Sequence, residues 1–162
     1  MKKFIILITI VLTAIDQIIK YFITTNLEVY KSIKVIPNFF YLTYVKNDGA
    51  AFSMFSGSRL FLIAVAVIVL IILIRSIVVD KNIKKIDIIS YSLILSGIIG
   101  NLIDRIYIGK VIDYLDFYIF GYNTAIFNFS DICIVVGGII IIYNLVFKGE
   151  EYENINSRSR IK

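Results

Sequence analysis

The sequence predicts an all-α integral membrane protein: four transmembrane helices, a small extracytoplasmic β-excursion and a short interfacial helix. Three observations predict it. The 162 residues are 59% hydrophobic and only 18% charged, with a mean hydropathy of +0.86, too apolar for a water-soluble surface of this size. Four apolar runs approach the ~20 residues that a spanning helix needs. The formal charge of +5 sits beside those runs rather than on one basic face, which argues for orientation in a bilayer and against nucleic acid.

The first span, about 4–23, follows Lys2 and Lys3. Its start has the look of a signal peptide, but no small-residue cleavage site follows and the run continues through Asp16 and Lys20, so a retained helix is expected. The stretch 26–57 is polar and aromatic. Residues 31–35 alternate, Pro37-Asn38 offers a turn, and 39–45 are rich in β-formers, predicting a twisted hairpin. Asn47-Asp48-Gly49 turns the chain, and residues 50–55 suit a short amphipathic interfacial helix. Spans at about 59–79, 87–105 and 131–147 follow, and a polar, frayed tail is expected over 148–162. All of this reads as one domain, 1–162.

Four spans put both termini on one side. That side carries Lys2, Lys3, Arg75, Lys81, Lys84, Lys85, Lys148, Arg158, Arg160 and Lys162, against Lys31, Lys34, Lys46, Arg59 and Lys110 on the other. The positive-inside rule therefore predicts cytoplasmic termini. With that topology Asp16, Lys20, Asn101, Asp104, Arg105, Asp113, Asn128 and Asp131 fall near one depth, at the outer face. Ionisable groups at membrane depth are costly enough to signal function. Each also has a plain structural explanation. Asn128, Ser130 or Asp131 would cap the fourth helix, Asp104 and Arg105 would anchor the third, and Asn47 would serve a turn. Gly97 and the pair Gly137-Gly138 fit close helix packing.

With one Cys and no His, disulfide frameworks, His-based triads and Cys/His zinc sites are excluded by count. No metal or organic cofactor is implied. Asp113 sits on a loop between apolar and aromatic neighbours, where desolvation should favour its protonated form, whereas the N–H groups that open the fourth helix should hold Asp131 as a carboxylate. Two such acids can divide the roles of general acid and water-activating base, which suffices to hydrolyse an amide.

In order, the blocks Asp16-Gln17-Ile18-Ile19-Lys20, Asn47 to Phe52, Gly97 to Arg105 continuing to Gly109 through Tyr114, and Phe127 to Asp131 make the chain resemble lipoprotein signal peptidase, the signal peptidase II family of bacterial membrane aspartyl peptidases. Tyr114 stands where Phe is usual, Ser130 where Ala is usual, and the Pro often found before Phe-Asn is absent. The resemblance implies a β-cradle over 26–57 with a peripheral helix, and a catalytic pair Asp113 and Asp131. Asn47, Gly49, Gly97, Asn101, Asp104, Arg105 and Asn128 would shape the site or bind substrate, supported by Asp16 and Lys20. Asn101 and Arg105 would hold backbone carbonyls. The implied reaction is cleavage before a diacylglyceryl-modified Cys of a prolipoprotein at the bacterial cytoplasmic membrane, with membrane lipids and lipid-modified prolipoproteins as partners and no obligate protein partner.

Two other classes compete. A proton-coupled transporter or channel would need a relay reaching across the membrane, whereas these groups stop at one face. A non-enzymatic assembly subunit would use polar residues for helix association, which leaves the acids in loops and at helix ends without a reason.

Overall fold

The computed structural model of the protein describes residues 2–50 and 54–159, with the backbone alone beyond 146. In chain order the elements are α1 (Lys2–Asn26), β1 (Ser32–Ile36), β2 (Phe40–Asn47), α2 (Arg59–Val79), α3 (Lys85–Tyr107), β3 (Val111–Ile119), β4 (Tyr122–Asn123) and α4 (Phe129–Ser159). Among the described residues four helices are long and apolar enough to cross a membrane, α4 over Phe129–Val146.

α3 is the central helix, packed against α1, α2 and α4. Its sequence explains the position. Ser90, Ser92, Ser96, Gly97 and Gly100 are buried small residues, and they let neighbouring backbones approach as dispersion and interhelical hydrogen bonding in lipid require. At Gly97 and Gly100 a Cβ would collide with the Ser130 carbonyl and the Ser130 hydroxyl of α4, respectively. α2 is apolar on all sides and buries only Leu62 and Ile77. Exposed Ile, Leu, Val and Phe side chains along α1, α2 and α4 form a surface that only lipid can cover without aggregation.

The strands form one antiparallel sheet in the order β1-β2-β3-β4. β1 pairs with β2 through Ser32↔Thr43 and Lys34↔Tyr41, closed by the expected turn, where Asn38 takes a left-handed φ of 59°. β2 pairs with β3 through Leu42↔Leu115 and Val45↔Asp113. Three residues on β2 thus span two on β3, a bulge that bends the strand. Ile23 of α1, Tyr44, Ile112 and Tyr114 form a buried cluster that seats the sheet on the end of α1.

Three expectations need correction. The cradle is not confined to 26–57, because half of its sheet comes from β3 and β4. Asp113 accordingly lies on a strand and not on a loop. The signal was present in the β-branched and aromatic run Val111–Ile119, but four consecutive buried residues at its start erase the alternation by which strands are read. Phe120 and Gly121, with φ of 51° and 81°, form a two-residue turn of the kind that closes tight hairpins. The third concerns the tail expected over 148–162, whose backbone is helical as far as Ser159, a continuation of α4. The interfacial helix expected over 50–55 falls in part on residues 51–53, which lie outside those described, and Met54 to Gly57 form a turn.

Candidate active site

Local hydrogen bonding builds the site from the end of α4. Asn128 precedes the helix, and its Oδ1 accepts the Asp131 N–H at 3.0 Å while Asp131 Oδ2 accepts the Asn128 N–H at 3.1 Å. This reciprocal pair satisfies two helix-end N–H groups and fixes both side chains. The hydroxyl of Tyr114 accepts the Phe129 N–H at 3.2 Å, so Tyr114 serves the same helix start. An isolated bridge between Leu115 and Phe127 brings this segment against β3.

Asp113 therefore meets Asn128. Its Oδ1 accepts from Asn128 Nδ2 at 2.7 Å, and its Oδ2 accepts from Asn47 Nδ2 at 2.9 Å. Asp131 Oδ1 accepts from Asn101 Nδ2 at 2.8 Å. Burial, then the nearby Asp131 carboxylate, push Asp113 up to about 7, against the lowering effect of the two amide donors. Two carboxylates in one enclosed site do not both ionise freely. Near neutral pH the pair can therefore hold one proton, which an acid–base couple requires.

Both acids line a cavity of about 680 Å³. Asn47, Asn101 and Arg105 join them at its polar end, while Val65 and Val69 of α2 and Ile132 and Val135 of α4 supply apolar wall. The helix packing explains the shape, since α2 and α4 each lie against α3 and leave a groove between them. Arg105 Nη2 donates to the Gly49 carbonyl at 2.8 Å, in keeping with the expected grip on outer-loop carbonyls. The Gly49 N–H donates to Asn47 Oδ1 at 2.9 Å.

Behind the cavity lies a second polar layer. Lys20 Nζ contacts Asp16 Oδ2 at 2.9 Å and Asp104 Oδ2 at 2.7 Å, and it donates to Asn101 Oδ1 at 3.2 Å. Asp16, Lys20 and Asp104 are each 1% exposed. Charges this deep persist only when paired and fully hydrogen-bonded. Ser130 N–H completes Asp16 at 3.1 Å and Ile112 N–H completes Asp104 at 3.2 Å.

The sequence-predicted residues thus converge, in two tiers. Asn47, Asn101, Arg105, Asp113 and Asp131 face the cavity. Asp16, Lys20, Asp104 and Asn128 stand behind it, Gly49 contributes backbone, and Gly97 serves helix packing. Sequence reasoning missed Gln17, whose Nε2 donates toward Asp16 at 3.1 Å, Asp104 at 3.2 Å and the Gly100 carbonyl at 3.3 Å. An amide in mid-span beside Asp16 was the available signal. It also missed Arg59, which donates to the Arg105 and Ile106 carbonyls at 2.8 Å each and so caps the end of α3. Among the described residues no cluster of His, Cys, Asp and Glu suited to a metal occurs.

The chain is similar to known proteins over most of its length. Residues 8–147 match the family model described as signal peptidase (SPase) II. Proteins named lipoprotein signal peptidase from Staphylococcus aureus strains JH9 and Newman are 38% identical over 141 residues, covering 87% of this chain and 86% of theirs. Two solved structures, each titled as a bacterial membrane enzyme, superpose with TM-scores of 0.85 and 0.79. The first is 35% identical, covering 91% of this chain and 90% of its own, and the second 37% identical, covering 87% and 91%.

Proposed function

Because the chain belongs to the signal peptidase II family, we propose that Asp113 and Asp131 are the catalytic pair of a lipoprotein signal peptidase that cuts before a diacylglyceryl-modified Cys. The observation that carries the assignment is the position of both acids at the polar end of an otherwise apolar cavity. A scissile peptide can meet them there while acyl chains remain in hydrocarbon.

The chemistry follows from the hydrogen bonds. Asp131, receiving N–H bonds on both oxygens, takes a proton from water as the hydroxyl oxygen adds to the scissile carbonyl carbon. Asp113, near half-protonated at neutral pH, donates its proton to the carbonyl oxygen, giving a gem-diol. Collapse reverses the roles, and the proton held by Asp131 passes to the nitrogen of the departing Cys. Arg105 and Asn101 supply donors beside the acids for the substrate backbone. The groove between α2 and α4 suits lateral entry from the bilayer, and the charge bias over short loops supports cytoplasmic termini with the acids near the outer face.

The transporter reading is not favoured, because the polar layer ends at one side of the bundle. The test is incubation of the purified protein with a diacylglyceryl-modified prolipoprotein. Release of an intact signal peptide is expected, and a folded preparation that releases none would sink the proposal.

A further inference from the structure

A primary amide presents a donor end and an acceptor end of nearly the same shape, so something must decide which end faces a neighbouring acid. For two of the three amides at the site, a backbone N–H decides. Gly49 N–H reaches Asn47 Oδ1 at 2.9 Å, and Asp131 N–H reaches Asn128 Oδ1 at 3.0 Å. A backbone N–H can only donate, so it fixes the oxygen and turns the NH₂ end toward Asp113. For Asn101 the donor-only group is a side chain. Lys20 Nζ donates to Asn101 Oδ1 at 3.2 Å, Asn128 Nδ2 reaches the same oxygen at 3.2 Å, and the free end, Nδ2, meets Asp131 Oδ1 at 2.8 Å.

We infer that Lys20 is a positioning residue for the reaction: held between Asp16 and Asp104, its ammonium fixes the polarity of the Asn101 amide so that Asn101 donates to Asp131. The inference rests on the reading of Asp113 and Asp131 as the catalytic pair. Lys20 has three N–H donors, and three acceptors surround it: Asp16 Oδ2, Asp104 Oδ2 and Asn101 Oδ1. Joining α1 to α3 needs only the contact with Asp104. The contact with Asn101 is surplus to that purpose and points toward the acids.

The charged and titratable groups around Lys20 come from every neighbouring element. They are Asp16 on α1, Asp104 on α3, Asp113 on β3 and Asp131 on α4, with Arg105 of α3 and Tyr114 of β3 beside those acids. Without the ammonium, only Asn128 Nδ2 still holds the Asn101 oxygen, and Asn101 turns that oxygen toward Asp131 in part of the population, an arrangement that only the protonated acid tolerates. A hydrogen bond to the charged form favours that form. Losing it lets the base bind its proton at higher pH, so the acidic limb of the kcat/KM profile moves up.

The experiment measures that limb with a diacylglyceryl-modified prolipoprotein peptide for Lys20→Met and for Asp16→Asn/Lys20→Met. The second variant removes one charge of each sign, so it keeps the net charge of the layer and leaves one carboxylate, Asp104, without its cation instead of the two that Lys20→Met leaves. Each is made with Asn101 intact and with Asn101→Ala. With Asn101 present, the limb is expected to rise by about one pH unit, roughly tenfold in the ionisation constant. In the Asn101→Ala background the rise should be less than half as large, because there is no amide left to turn. A limb that stays in place, or one that rises half as far or more without Asn101, would overturn the inference, since a merely structural Lys20 changes the yield of folded enzyme and not this coupling. Asp113→Asn and Asp131→Asn are assayed alongside. Turnover by either one would instead remove the catalytic pair on which the inference stands.

Discussion

At Asp113, burial and a second carboxylate act against two amide donors, and the acid titrates near 7 instead of near the 3.9 of an unperturbed Asp. A folded-state value above the unfolded one means that stability is fully present below about pH 4 and is lost as pH rises through about 7. At 1.36 kcal/mol per unit the loss has an upper bound of about 4 kcal/mol. Asp113→Asn avoids that loss, although its own NH₂ group must then face one of two amide donors, at a cost of about 1 kcal/mol. The variant should therefore melt above the wild type at pH 8 in detergent and lose that advantage at pH 4. Thermal unfolding at the two pH values checks this, and an advantage at pH 4 with none at pH 8 would contradict it. Much of this site was readable residue by residue, since an Asp or Lys within an apolar run announces itself by its cost. Gln17 and Arg59 were not so readable, because an uncharged amide and a helix-end Arg are common without any special role.

Between elements, α3 and α4 approach so closely that a Cβ at Gly100 would strike both the Ser130 hydroxyl and the Asp16 carboxylate. Overpacking of this kind typically costs 1–3 kcal/mol. Gly100→Ala should lower thermal stability by about that much and reduce cleavage by displacing the start of α4, which carries Asp131. Adding Ser130→Ala removes one of the two collisions and should restore part of the loss. A double variant no more stable than Gly100→Ala alone would show that the close approach at Ser130 is not what limits packing. The strands teach a different lesson. The hairpin β1-β2 was visible because residues of β1 alternate and a Pro-Asn turn follows. β3 was not, because its first half is buried on both faces. Asp116 within it is buried and bonds to Thr43 Oγ1 at 2.6 Å, and long-range pairing of this sort has no local sequence mark.

Over the whole molecule, widely separated polar residues meet at one depth because α1 and α3 run the same way through the bundle and α4 returns. That convergence was legible in the sequence from the span count, which decides which helix ends share a side. The grouping into a cavity-facing tier and a tier behind it was not, because it depends on how each helix is rotated about its axis. The orientation is directly testable: cysteines introduced at Lys46 and Lys110 should react with an impermeant thiol reagent added outside, and one at Lys84 should not. Labelling of position 84 from outside, with 46 and 110 protected, would invert the topology.

The central claim is that Asp113 and Asp131 act as one catalytic unit, and turnover of a diacylglyceryl-modified prolipoprotein by Asp113→Asn, Asp131→Asn and the double variant tests it most directly. Groups that act together are strongly non-additive when removed. Each single variant should lose nearly all cleavage while still binding substrate, and the double variant should be little worse than either. Substantial cleavage by one single variant, or losses that multiply in the double, would contradict the account.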